Sequence, residues 1–231
     1  MPLAGRGSAA VMSGAAATVA AVAAAVVGVL GLIAAPAAGA PAGRSAADVY
    51  RIGDVLAGPS PPPVGSSTLV RTDRGVSARL ETTALRPGAV VTLWLVVFND
   101  PDGCQAGIPN LSRCGPGDAH AGRGGVSPNY GAGRVVGEDG TAEFGTHLRV
   151  GDTSRALVGP GLVNPRGAEV ILVLKAHGPK IPHLLSDQLH TFAGGCADQS
   201  DVPPGARPEL VGRPGPNDCA EIQVSVHSAA A

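Results

Sequence analysis

The chain has 231 residues with 17 basic and 18 acidic side chains, and only one Trp, two Tyr and three Phe. That near-neutral balance argues against nucleic acid as a partner, which needs a basic patch, and the scarcity of aromatics argues against stacking on sugars or single strands. The length suits one domain with a real core.

Residues 1–40 read as a secretory signal peptide. Arg6 is the only charged residue there, and an apolar run follows from about Ala15 to Ala35, with Val26, Val27, Val29, Leu30, Leu32 and Ile33. Small-residue sites come next at Ala35-Pro36-Ala37, Ala38-Gly39-Ala40 and Ala40-Pro41-Ala42. A basic start, an apolar stretch and a small-residue site are the parts of an export signal. Cleavage is expected after Ala37 or Ala42; kept uncut, the run is long enough to anchor the chain in a membrane. The expected location is therefore secreted, extracellular or at the cell envelope.

Residues 41–66 are rich in Pro, Gly and Ala, with Pro59 to Pro63 nearly a proline run, and predict an extended linker. Within it, Val49-Tyr50-Arg51-Ile52 offers at most a short edge strand. Residues 67–231 predict a single β domain. Val76, Ala78 and Leu80 alternate with Ser77, Arg79 and Glu81, the period of a half-buried strand. After the turn Arg86-Pro87-Gly88, Ala89 to Phe98 is apolar on both faces and predicts a central strand. Asn99 to Gly133 reads as a long irregular segment. Glu138-Asp139-Gly140 signals a hairpin between Gly133–Gly137 and Thr141–Val150. A loop over Gly151–Gly167 leads to a second central strand, Ala168 to His177. Pro182 to Thr191 predicts a short helix, and Ile222, Val224 and Val226 mark the last strand. Seven to eight short strands with Gly/Pro turns predict a mostly β fold, an antiparallel β-sandwich with long loops.

Four cysteines in an exported chain read as two disulfides. Local pairing, Cys104–Cys114 and Cys196–Cys219, closes two Gly/Pro/Asn-rich stretches that have no apolar period to order them. Zinc–cysteine ligation is disfavoured because there is no Cys-x-x-Cys spacing.

The segments Leu85-Arg86-Pro87-Gly88, Thr92 to Asn99, Gly137-Glu138-Asp139-Gly140-Thr141, Gly159 to Glu169 and Ala176-His177-Gly178-Pro179 carry a resemblance. Over roughly Thr68 to His227 the chain resembles uncharacterised exported bacterial β-sandwich proteins, whose domains are distantly similar to the chordin-type (CHRD) domain. The resemblance implies an exported β-sandwich and supplies no activity. The typical CHRD pattern has a His-x-His-like segment, where this chain has only Asp118-Ala119-His120, so no binding residues carry over.

Candidate sites are few. His183, Asp187 and His190, spaced i, i+4, i+7, share one face if Pro182–Thr191 is helical, with His177 just upstream. Imidazoles and a carboxylate on one face suit Zn²⁺ or Cu²⁺. Glu169, Lys175 and His177 share a strand parity, but Glu169 and His177 lie roughly 26 Å apart along an extended strand. Asp100, Asp102 and Asp118, with Asn99 and Asn110, place oxygens in the long loop where Ca²⁺ could bind, though not at EF-hand spacing. Ser127 and Ser154 lack the Gly-x-Ser-x-Gly turn of a hydrolase. With no catalytic motif, the expected function is an exported, non-enzymatic binding or envelope-associated protein with an unknown extracellular or envelope partner. The alternative is a metal-binding protein or metalloenzyme.

Overall fold

The apolar run Ala89–Phe98 forms a strand along its whole length, and only Val96 in it escapes full burial. A strand can be this apolar only if both its faces are covered. The computed structural model, which describes residues 43–180, 182, 185–190 and 220–230, shows how. The elements are β1 (Gly43–Arg51), α1 (Ile52–Ala57), β2 (Pro63–Thr72), β3 (Gly75–Thr82) and β4 (Ala89–Phe98). They continue with α2 (Pro116–His120), β5 (Val126–Val135), β6 (Ala142–Arg149), β7 (Glu169–Pro179), α3 (Leu185–Leu189) and β8 (Ala220–His227). The segment 1–40 read as a signal peptide, His183, Cys196 and Cys219 lie outside the described residues.

The fold is mostly β, as expected, but its strands hydrogen-bond into one eight-stranded sheet in the order β5-β4-β7-β8-β1-β2-β3-β6. Every pairing is antiparallel. The sheet rolls until its two end strands meet: Arg134 Nε donates to the Glu143 carbonyl at 2.6 Å, and Thr146 Oγ1 to the Gly131 carbonyl at 3.2 Å. The sheet is thus nearly closed. Val91, Leu93, Leu95 and Val97 point inside, against Leu69, Leu80, Phe144, Leu148, Leu172 and Leu174. Trp94 and Phe98 point outside, with Tyr130, Ile171, Val173 and Val224. Each such side chain, fully buried, contributes roughly 1.5–3 kcal/mol.

Three expectations are corrected. The linker over 41–66 instead holds β1, α1 and the start of β2, and β1 is an inner strand between β8 and β2, not an edge. Gly43, Ser45, Ala47 and Val49 do alternate inward, but three of the four are too small to print an apolar period. The irregular segment ends early, because Val126–Val135 is β5. Its glycines serve close approach: a Cβ on Gly131 would sit 2.9 Å from the Leu93 carbonyl oxygen, and one on Gly133 2.7 Å from that of Leu189. Pro128 within β5 is tolerated because β5 ends the ladder. Finally, Glu138-Asp139-Gly140 makes a tight turn but no hairpin ladder, since β6 pairs with β3.

Candidate functional site

The outside of β4, β7 and β8 presents more apolar surface than the sheet itself can hide, and two pieces of chain cover it. One is α1, whose Ile52 and Val55 pack on the cluster around Trp94. The other is the loop after β4, which lays Cys104, Leu111, Cys114 and Ala119 on the same surface.

That loop is held at three points. The expected disulfide Cys104–Cys114 is present, with its two Cα atoms 5.2 Å apart. Glu169, at the start of β7, accepts the Arg113 and Cys114 amides at 3.1 and 2.9 Å. Asp118 in α2 is fully buried and accepts the Gln105, Ala106 and Gly115 amides. Burial alone would raise its pKa, but those amides and the Arg123 guanidinium outweigh it and hold the carboxyl below the usual aspartate range. In the chain-entropy model, closing a loop of this length stabilises by about 2–3 kcal/mol. Replacing both Cys104 and Cys114 by Ala should lower stability by that amount in urea unfolding. An unchanged midpoint would mean that Glu169 and Asp118 alone order the loop.

Between the two covering pieces runs a groove of about 350 Å³. Its floor is Phe98, Ile171, Val173 and Val224, one wall is Ile52, Val55 and Leu56, and the other is Ile108, Pro116 and Ala119. Leu56 stands 79% exposed at the rim. Polar groups are few: Glu221, and His120, whose Nδ1 donates to the Pro116 carbonyl at 2.8 Å. A mostly apolar cleft with one or two polar groups at its edge is the usual form of a ligand site.

The other sequence candidates fall in several places. His177 is fully buried on the outer face of β7, its Nε2 lying 2.8 Å from Thr92 Oγ1. Trp94 Nε1 donates to that same hydroxyl at 3.0 Å, so His177 Nε2 is engaged in a buried Trp94–Thr92–His177 hydrogen-bond chain. His190 is exposed, and its Nδ1 donates to the Ser186 carbonyl. Of the expected helix Pro182–Thr191 the described part is α3, Leu185–Leu189, and Gln188 within it ties it to the His177 and Pro179 carbonyls. His183 and the Asp187 side chain lie outside the described residues. Among the described residues no three His, Cys, Asp or Glu side chains gather in a metal-binding group.

Glu169, Lys175 and His177 are engaged separately: Glu169 on the loop amides, Lys175 with Glu221 at 3.1 Å and over the Trp94 ring, His177 on Thr92. Of the oxygen ligands considered for Ca²⁺, Asp118 is committed to backbone amides and Asp102 to Arg113 at 2.9 Å. Asn99 Oδ1 accepts the Val163 amide. Ser127 donates to the Val158 carbonyl, and Ser154 to Asp152, so both serve their loops.

One polar cluster escaped sequence reading. Gln223, Ser225 and His227, the apparently wet side of β8, point into the rolled sheet and are buried. His227 Nε2 lies 2.9 Å from Ser67 Oγ, and its Nδ1 lies 2.9 Å from Ser45 Oγ. Ser225 Oγ is 2.7 Å from Ser67 Oγ. Beside them Arg71, only 2% exposed, donates through Nη2 to the Ala168, His227 and Ser228 carbonyls. Burial and the neighbouring Arg71 push the His227 pKa down to about 4. A Ser–His pair suggests a hydrolase, but here a serine stands where an orienting carboxylate would, and Ser67 is 2% exposed within the core. The cluster joins β1, β2 and β8; it is not a nucleophile. Its signal was the shared parity of 223, 225 and 227, which also fits a solvent face. No protein-family model and no curated protein sequence matches the chain.

Proposed function

We propose that the protein is an exported, non-enzymatic binding protein whose groove between α1 and the stapled loop receives an apolar group of its ligand. The observation that carries this reading is the groove itself, an apolar cleft on a frame fixed by a disulfide and two buried carboxylates. Loops on a rigid sheet are the common place for recognition. Export rests on the order of Arg6, apolar run and small-residue sites, and on the resemblance to exported β-sandwich proteins. It makes Cys196–Cys219 the second disulfide, which the intact mass of the secreted protein would reveal.

The test is titration with the neutral dye N-phenyl-1-naphthylamine against the protein and its Ala119→Trp variant, which fills the groove. The expected result is saturable binding of one dye per chain, lost in the variant. Binding that survives Ala119→Trp would remove the groove as the site. The metal-binding alternative, through His177, His183, Asp187 and His190, is weakened by the engagement of His177 with Thr92. Stoichiometric zinc or copper in protein never exposed to chelator would restore it.

A further inference from the structure

A second cavity, of about 360 Å³, opens at the end of the rolled sheet where β1 and β7 finish and β4 and β8 begin. It meets the groove at Glu221, which lines both, and is otherwise lined by different residues. Ile52, Val55 and Leu56 of α1 face the groove, whereas Gly53 and Asp54 of the same helix line this end. The floor is apolar, formed by Leu85, Ala89, Val91, Ala176 and Ile222, most of them continuous with the inner core. At the rim stand Arg51 and Arg86.

The charges there are unbalanced. Arg79, Arg113, Arg123, Arg166 and Lys175 each pair with a carboxylate; among the described residues Arg51 and Arg86, like the exposed Arg44, Arg74, Arg134 and Arg149, do not. Of the two acids lining the cavity, Glu221 is already neutralised by Lys175 at 3.1 Å, leaving Asp54. Two guanidinium groups over an apolar floor therefore face one unpaired carboxylate, and the rim keeps a net positive charge. Guanidinium is the side chain best shaped to hold a carboxylate, through two parallel hydrogen bonds.

We propose that this end of the sheet binds a small amphiphilic carboxylate, its hydrocarbon on the apolar floor and its charge between Arg51 and Arg86. The site shares only Glu221 with the groove and does not rest on the proposed function. Octanoate is the probe, titrated calorimetrically into the full chain, with octan-1-ol and octylamine as uncharged and cationic counterparts. Saturable binding of one octanoate per chain is expected, with octanol at least about tenfold weaker and added salt weakening octanoate alone. The double variant Arg51→Gln/Arg86→Gln should weaken octanoate about tenfold or more and leave octanol unchanged. Both arginines are exposed, so the variant should melt like the parent. Ala119→Trp, which closes the groove, should leave octanoate binding intact. The proposal is overturned if octanoate fails to saturate, if it binds the double variant as tightly as the parent, or if Ala119→Trp abolishes its binding.

Discussion

Replacing Trp94 by Ala is expected to cost about 3–5 kcal/mol, the range for removing a large aromatic from a packed core. Trp94 is 1% exposed and sits at the centre of the outer cluster. Its ring meets Tyr130 edge to face, with centroids 6.0 Å apart at 85°, a geometry worth about 1 kcal/mol beyond burial. The Lys175 ammonium lies 5.5 Å from the ring centroid and adds somewhat less. The indole N–H also donates to the Thr92 hydroxyl, which is in turn hydrogen-bonded to His177. Trp94→Phe separates these contributions: it keeps most of the buried ring but leaves Thr92 without its donor, and should cost about 1–2 kcal/mol. Because Trp94 is the only tryptophan, unfolding has to be followed by circular dichroism. A cost below about 1 kcal/mol for Trp94→Ala would mean that the outer cluster is not a second core.

That both faces of β4 are buried was legible in the sequence, because ten consecutive residues there are apolar or Thr. The same holds for β7, and for β3 with its strict alternation. Two other strands were hidden by residue size. In β1 the inward positions are Gly43, Ser45 and Ala47, and in β5 glycines sit where a neighbouring backbone carbonyl leaves no room for a Cβ. Pattern reading weighs side-chain hydrophobicity, and these strands are held by ladder hydrogen bonds and close packing instead. Strand order was equally out of reach: β6 follows β5 in sequence yet pairs with β3, a choice made by contacts far along the chain. For the candidate sites, the local pairing Cys104–Cys114 could be read from loop composition. The groove could not, since its walls come from segments read as linker and as irregular loop.

The last expected result concerns acid. His227 is neutral in the folded protein down to about pH 4, whereas in the unfolded chain it takes up a proton near its ordinary pKa of 6.5. Between those values the unfolded state binds more protons than the folded one, so stability must rise with pH across that window. The contribution is complete above pH 6.5 and is lost as pH falls through 6.5 toward 4, amounting to about 3 kcal/mol. The physical cause is visible around the ring: a protonated imidazole would be buried beside the Arg71 guanidinium, with the Ser45, Ser67 and Ser225 hydroxyls near it and, among the described residues, no carboxylate paired with it. Three aspartates work in a different range. Asp118 is held low by amides despite its burial, Asp139 by the Thr141 amide and hydroxyl, and Asp152 by the Ser154 hydroxyl and amide. Their stabilisation is present above the ordinary aspartate pKa of 3.8 and fades only below it, so it does not overlap the His227 window. Urea unfolding of the parent and of His227→Gln, followed from pH 7 to pH 4, isolates the effect. The parent should lose about 3 kcal/mol relative to the variant, because glutamine keeps a hydrogen-bonding amide in the cluster but cannot take up the proton. Parallel stability curves would mean that the folded His227 titrates as it does in the unfolded chain, and that water reaches the Ser45–Ser67–Ser225 cluster between β1, β2 and β8.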